Sequence, residues 1–410
     1  MHETFAPTIA AAQARIAAVR PAAYARTRNA LDGAVSGLSP YITHGFVTLA
    51  DVLAGVAAHY PLDVQHKFVF ELGWRAYFRH VWQHRGEGIL RSLHEGPLPD
   101  ASYARELPAD IRQGCTGVPV VDEAVRALYA TGMLHNHARM WLASYVVHVR
   151  KVHWRAGADW LYGHLIDGDL ASNHLSWQWV AGTASHKPYL FNADNVARYA
   201  PASWHSPGSV IDTSYEALDR IARQPKHRLA HQAVAPLPSE HDAQSGSSSW
   251  VEPLLGAEPP DKLGLTAPDA AAVAGRDVYL AHPWSLGKLP AALPADTVVV
   301  GIFVADFHRA WPWSERRWHF VGSRMAELAA ERWHGDAASI GSALASARSV
   351  HSIDEPHLTP WLARWAECGA APALFPAVDR RCDSFSQWWA RGLRGLDSAA
   401  DLLAVNELPA

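Results

Sequence analysis

The stretch Asp167-Gly168-Asp169-Leu170-Ala171-Ser172-Asn173-His174-Leu175-Ser176-Trp177-Gln178-Trp179 decides how the chain is read. It gathers two carboxylates, an amide and two indoles. Asp169 and Asn173 are four residues apart, so on a helix they share a face. Taken alone, the stretch reads as an Asp N-cap followed by a helix with an aromatic core stripe. Upstream lies Met133-Leu134-His135-Asn136-His137-Ala138-Arg139-Met140. The helix that continues from Met140 to Val149 is apolar on most sides and should be buried nearly all round. Arg139 beside it needs a carboxylate partner, because an unpaired buried charge costs several kcal/mol, and Asp167 and Asp169 are candidates. His135 and His137 do not read as a metal pair: two residues apart on a helix they diverge, and no third ligand is evident. A third cluster, Glu71-Leu72-Gly73-Trp74-Arg75-Ala76-Tyr77-Phe78, reads by itself as an aromatic helix with one charged edge.

Working outward, residues 5–223 read as helical, with long Ala- and Leu-rich segments and Gly/Pro punctuation. From Val120 to Ala130 the apolar residues Val121, Ala124, Val125 and Leu128 recur at helical spacing. Thr116-Gly117-Val118-Pro119 forms the entry, with Asp122 and Glu123 at the positive end of the dipole. Composition changes at about Gln232 and stays changed to Arg276, with Ser245-Gly246-Ser247-Ser248-Ser249 and several prolines. That pattern predicts a linker over 231–275, between a helical domain at 1–230 and a second domain at 276–410. In the second domain Asp277–Ala281 and Thr297–Val304 read as buried parallel strands. Helices are expected at Arg317–Arg332 and Thr359–Cys368, and a weaker strand at Ala373–Ala377. Strand–helix alternation predicts a small Rossmann-like parallel sheet, so the chain as a whole is expected to be multidomain, α followed by α/β. Neither GxGxxG nor GxxxxGK[ST] occurs there.

The 410 residues are 49% hydrophobic and 19% charged, which excludes a disordered or fibrous chain. The formal net charge of -4 hides an asymmetry. Residues 1–230 hold 22 Lys and Arg against 19 Asp and Glu, and the remainder 14 against 21. A polyanionic partner would therefore meet the first half. The 3 cysteines form no CxxC pair, so a disulfide framework or zinc ribbon is not expected, and the chain reads as intracellular, with a cytoplasmic location. No apolar run is long enough to span a membrane. The 18 tryptophans are several times the usual share and call for an explanation.

Taken together and in order, the three clusters resemble the flavin-binding helical domain of the DNA photolyases and cryptochromes. Arg28-Asn29, Ser36-Gly37-Leu38-Ser39-Pro40-Tyr41 and Gly45 resemble the loop before the flavin phosphates. Then follow Glu71-Leu72-Gly73-Trp74-Arg75, Thr116-Gly117-Val118-Pro119-Val120-Val121-Asp122, the 135–140 segment, Trp154-Arg155 and the 167–179 stretch. The resemblance covers roughly residues 20–205. It implies FAD as cofactor, with Tyr24, Ser36, Gly37, Leu38 and Ser39 at the diphosphate and Arg75 beside it. Arg139 and Asp167 would pair against the flavin face, Asp169 would sit near the adenine and ring edge, and Asn173 would face N5. Glu71, Trp74, Asn136 and Met140 would line a pocket for a flipped-out pyrimidine dimer. Trp177 and Trp154 would be the inner steps of an electron relay, which accounts for part of the tryptophan excess. The implied activity is light-driven carbon–carbon lyase repair of cyclobutane pyrimidine dimers in damaged DNA. A cryptochrome-like blue-light receptor and a flavoprotein without repair activity are the alternatives. No metal and no membrane partner are expected, a monomer is, and the sequence does not reveal an antenna chromophore.

The chain departs from the family pattern. The α/β segment follows the helical domain instead of preceding it, and Ser314–Val321 with Ser323–Leu328 is similar to the first sheet-flanking helix of the family's antenna domain. Val35 stands where many members carry Thr. His137 replaces the usual Arg after the pocket Asn. No tryptophan marks the outer end of the relay; between Asp100 and Thr116 the one aromatic is Tyr103.

Overall fold

The structure, a computed structural model, describes residues 5–225 and 251–405. The first part is helical. It contains α1 (Ile9–Ala18), α2 (Lys67–Arg85), α3 (Pro119–Thr131), α4 (Asn136–Ser144), α5 (Trp154–His164) and α6 (Leu170–Ala181), with shorter helices between them. Local chemistry sets the ends. Pro119 opens α3, and Gly132, left-handed at φ 69, closes it. The Asp122 carboxylate accepts from the Thr116 backbone N–H at 2.8 Å and its hydroxyl at 2.7 Å, fixing the entry turn. Asp169 caps α6, accepting from Ser172 N–H at 2.8 Å. The helix expected to run on to Val149 changes pitch: α4 ends at Ser144 and a single π turn covers Tyr145–Val149.

The second part contains β1 (Asp277–Ala281), β2 (Val298–Val304), α7 (Glu315–Leu328), β3 (Glu331–Gly335), α8 (Ala337–Leu344), β4 (Ser349–Ile353), α9 (Thr359–Trp365), β5 (Glu367–Gly369) and α10 (Phe385–Gly392). Five strands pair in parallel in the order β3-β2-β1-β4-β5. β1 and β2 are the two apolar runs read from the sequence. β3 and β4 carry mixed residues such as Glu331, Arg332 and His351, which hide them from a hydrophobic search. The expected helix over 317–332 stops at Leu328, and that over 359–368 stops at Trp365, because each yields to the next strand. Residues 373–377 form no strand.

Residues 226–250, which include the first part of the expected linker over 231–275, lie outside the described residues. The remainder is packed rather than extended. Leu255–Gly256 pairs with Trp313–Ser314, and Glu252 accepts from Arg112 at 2.9 Å and from the Trp160 indole at 2.9 Å. The chain end also returns to the helices. Phe385 of α10 meets Phe70 at 4.6 Å between ring centroids, and Val64 N–H donates to Asp397 C=O at 3.0 Å. Residues 385–405 therefore pack on the helical unit, although they follow the sheet in sequence.

Candidate functional site

Arg139, Asp167 and Ser39 come together from three segments far apart in sequence. The Arg139 guanidinium donates to both Asp167 oxygens at 2.9 and 2.8 Å, and Ser39 Oγ donates to Oδ2 at 2.5 Å. Burial opposes ionisation of Asp167, but Arg139 and Ser39 overcome it and hold the carboxyl below its ordinary range. Arg75 of α2 donates to Thr43 Oγ1 at 3.0 Å, and Thr43 Oγ1 in turn donates to the Asp167 backbone carbonyl at 3.2 Å. Asn173 is buried, and its amide nitrogen donates to Ala158 C=O at 2.8 Å, turning the carbonyl oxygen away from that contact.

A second group surrounds Asp169. Arg79 donates to Asp169 at 2.6 Å and to Glu355 at 2.7 Å, bridging the two domains. Glu355 also pairs with His357 Nδ1 at 2.5 Å, and the His357 ring lies flat on Trp284, with centroids 4.1 Å apart. Burial alone would raise both carboxyls. Arg79, then His357, pulls them down instead, Asp169 well below its ordinary range and Glu355 to about 2. This group lies at the C-terminal ends of β1 and β4, where the sheet order reverses and where open α/β sheets form their crevice. A cavity of about 1680 Å³ opens there, lined by Arg75, Arg79, Leu170, Trp284 and His357 among others. Of the residues expected at the cofactor, Arg75 alone lines it.

Acid should loosen this structure in two windows. Burial lowers His44 to about 3 and His135 and His148 to about 4. The unfolded chain binds protons at these rings below about pH 6.5 and the fold does not, so stability falls as pH drops below that point. Glu355 contributes stability present above its ordinary 4.5 and lost as pH falls toward 2. Thermal unfolding midpoints should therefore decline steadily from about pH 7 to about pH 4, and Glu355→Gln should flatten only the part below about pH 4.5. A midpoint independent of pH over that range would show that these groups titrate in the fold as they do in the open chain.

Of the residues expected around a flipped base, Glu71 meets the loop at 28–29. Arg28 donates to Glu71 at 3.3 Å, and His137 Nδ1 meets Asn29 C=O at 2.7 Å, which ties α2 to α4. Asn136 and Met140 stand one turn apart on α4, with the amide 3.7 Å from the sulfur. Asn136 is exposed, and Glu71, Trp74 and Met140 are half-buried, so all four can be reached from solvent. Trp74 has a partner no pattern foretold: Phe385 of α10 stacks on it at 4.1 Å and 14°. Tyr24 is half-buried and packs edge-on against Phe68; burial and the neighbouring Glu71 keep its hydroxyl protonated. Trp154 and Trp177 are both buried, and the Trp154 indole donates to Ser92 Oγ at 3.0 Å. Sequence reading missed Arg79, Glu355, His357 and Trp284. Arg79 was detectable as the residue four after Arg75, on the same helical face. The other three join only through tertiary pairing.

The donor set fits a diphosphate-linked flavin. Arg75 and the Ser36–Ser39 loop offer a cation and hydroxyls, and a further guanidinium, that of Arg15, lies against Gly37 of that loop. A profile of the FAD-binding domain of DNA photolyase matches residues 68–213. Those residues belong to that domain family. The FAD-binding domain takes FAD as its cofactor, and its matched segment begins after the expected phosphate loop. A deoxyribodipyrimidine photo-lyase of Streptomyces griseus is 35% identical over 205 residues, 46% of this chain and 44% of the relative. A cryptochrome DASH of Idiomarina loihiensis is 32% identical over 209 residues, covering 48% of this chain and 46% of the relative. The crystal structure of a Synechocystis cryptochrome aligns with a TM-score of 0.43 at 28% identity, over 48% of this chain and 44% of that one. The chain thus spans less than half the length of these relatives. Among the described residues no helix is long and apolar enough to cross a membrane.

Proposed function

We propose that this chain is a light-driven, FAD-dependent lyase that repairs cyclobutane pyrimidine dimers in DNA. The observation that carries the reading is the Arg139–Asp167 pair, with Asn136 and Met140 reachable from solvent on the helix that carries Arg139, and Glu71 and Trp74 reachable on α2. FAD, when bound, supplies the one-electron chemistry that splitting a cyclobutane ring requires and that side chains lack. The chain's own work is to bind and orient. A lesion inside the duplex stack must be extruded, and a damaged pair costs less to unstack. Trp74 offers an extruded base a flat face, and Glu71 and Asn136 offer hydrogen-bonding groups to its edges. Arg139 keeps a positive charge at Asp167, where added negative charge on the cofactor would be stabilised. We assign Tyr24, Ser36, Gly37, Leu38 and Ser39 to the diphosphate, Arg75 to a place beside the cofactor, Asp169 to the adenine and ring edge, Asn173 to N5, and Trp177 and Trp154 to electron supply.

Losing one base–aromatic stack costs about 1–3 kcal/mol, so Trp74→Ala should weaken binding of dimer-containing DNA about tenfold to a hundredfold while FAD stays bound. Equal affinity in a binding titration would remove Trp74 from the pocket. The activity itself is tested by irradiating the purified protein with a dimer-containing oligonucleotide and counting dimers lost. A second reading, a blue-light receptor, is favoured by one observation: Phe385 covers a face of Trp74. Dimer counts unchanged by light, in a protein that binds FAD, would remove the lyase reading and leave the receptor and the flavoprotein without repair activity.

A further inference from the structure

We propose that Arg317, contributed by the second domain, is a positioning residue of the flavin site: its guanidinium fixes the Gly168 carbonyl and through it the two flanking carboxylates. The inference rests on the assignment of residues 68–213 as an FAD-binding domain and deepens it.

Arg317 sits in the first turn of α7 and is fully buried, at 0% exposure. Nη2 donates to Gly168 C=O at 2.5 Å and Nη1 to Tyr162 C=O at 3.3 Å, while the plane lies 4.1 Å from the Trp313 ring centre and 4.6 Å from that of Tyr162. Among the described residues it forms no ion pair. A buried cation without a carboxylate partner costs several kcal/mol, and an apolar side chain would fill the same space without that cost. The charge therefore needs a purpose, and the group it grips lies between Asp167 and Asp169. Gly168 is fitted to this grip: a Cβ there would come within 2.5 Å of Arg317 Nη1 and 2.7 Å of Tyr162 O.

The rest of the loop is anchored from the same side. The His44 ring lies between Ile166 C=O at 2.8 Å and Pro283 C=O at 2.6 Å and, being neutral, donates to one of them, and Leu170 N–H reaches His357 Nε2 at 3.5 Å. Pro283, Arg317 and His357 all belong to the second domain. The backbone that carries the carboxylates is thus held in part by a domain outside the matched FAD-binding segment, beside the side-chain bonds from Arg139 and Arg79 within it. Burial lowers Arg317, and Tyr162, then Asp167 and Asp169, partly offset it. Without the guanidinium, the neighbourhood of the cofactor becomes more negative, and adding an electron there becomes harder.

The test uses the full chain and two substitutions. Arg317→Met keeps the length and apolar stem but removes charge and fork; Arg317→Lys keeps the charge and loses the fork. The midpoint potential of bound FAD, FAD affinity and the unfolding midpoint without FAD are measured for each. With Arg317→Met, the reduced-to-oxidised ratio at a fixed potential should fall about tenfold, which is about 59 mV for one electron, and FAD affinity should fall about tenfold or more. Arg317→Lys should recover most of the potential and little of the affinity. Arg324→Met is the control: this Arg of the same helix bonds Leu286 C=O, Gly287 C=O and Glu327 and lies 5.9 Å from the Phe46 ring, with no bond to residues 166–170, and should change stability alone. If Arg317→Met folds and retains wild-type potential and affinity, or merely tracks Arg324→Met, the inference is overturned. Should Arg317→Met fail to fold, wild-type FAD affinity in Arg317→Lys overturns it equally. A wild-type protein that takes up no FAD would instead sink the underlying cofactor reading.

Discussion

Arg139→Met is expected to cost about 3 kcal/mol or more of folding stability and to empty the protein of FAD, whereas Asp167→Asn should cost clearly less stability. The asymmetry follows from burial. The Asp167 side chain is 3% exposed and the Arg139 side chain 24%. Removing the cation strands a carboxylate that water cannot reach, with Ser39 as its remaining close donor and Arg75 acting from a distance. Removing the carboxylate instead leaves a guanidinium that keeps its bond to Leu134 C=O at 2.8 Å and can turn its free edge to solvent. The pair is partly open, so the lower end of the usual range for breaking a buried ion pair applies. Urea unfolding of the two variants at neutral pH, with bound flavin read by absorbance, measures both parts. Equal destabilisation would mean that Asp167 is reached by water and that the pair is an ordinary surface bridge. Flavin retained by Arg139→Met would place the cofactor away from this pair.

What could be read in advance divides along the physics of each element. The helices of the FAD-binding domain announce themselves because their apolar positions recur at helical spacing and their ends carry local chemistry, as at Thr116–Asp122 and Asp169. β1 and β2 are legible because central parallel strands are apolar on both faces. β3 and β5, at the sheet edges, need no such pattern, and β4 carries Ser349, His351 and Ser352. That Arg139 needs a carboxylate follows from the cost of an unpaired charge, which needs no coordinates; the choice of Asp167 over Asp169 is what the family resemblance implies. The second domain's share of the site follows from neither. Glu355, His357 and Arg317 are ordinary charged residues in sequence, and only the closing of the two domains brings them to Arg79 and Gly168. The Trp74–Phe385 stack has the same origin: Phe385 lies more than three hundred residues downstream and returns to α2 through the chain end.

Trp177→Phe is expected to reduce light-driven bleaching of oxidised FAD to a small fraction of the wild-type rate, while repair by protein reduced chemically beforehand survives. Trp177 is 2% exposed and packs on the backbone of α5, where a Cβ at Gly157 would come within 2.4 Å of its ring. Gly157 lies three residues after Trp154, so the two indoles share one close interface between α5 and α6. A phenyl ring is far harder to oxidise than an indole and fills less of that space, so the substitution removes the proposed electron donor without charging the core. Beyond Trp154 the path is poor. His153 lies 5.6 Å from Trp154 between ring centres, and Tyr103 6.3 Å from His153. Burial and then Asp100 raise the Tyr103 hydroxyl to about 12, so the ring gives up an electron readily only if its proton leaves as well. Wild-type bleaching should accordingly be slow, and slower still in Tyr103→Phe if the path ends there. Core packing predicts some loss of stability for Trp177→Phe, about 1–3 kcal/mol, which a melting curve separates from the electron-supply effect. Transient absorption after a laser flash reads the first step directly: an indole radical signal should be present in wild type and absent in Trp177→Phe. Bleaching at the wild-type rate in a folded, flavin-loaded Trp177→Phe would mean that electrons enter by another route, with Trp311, 5.5 Å from His174, as the next ring to replace.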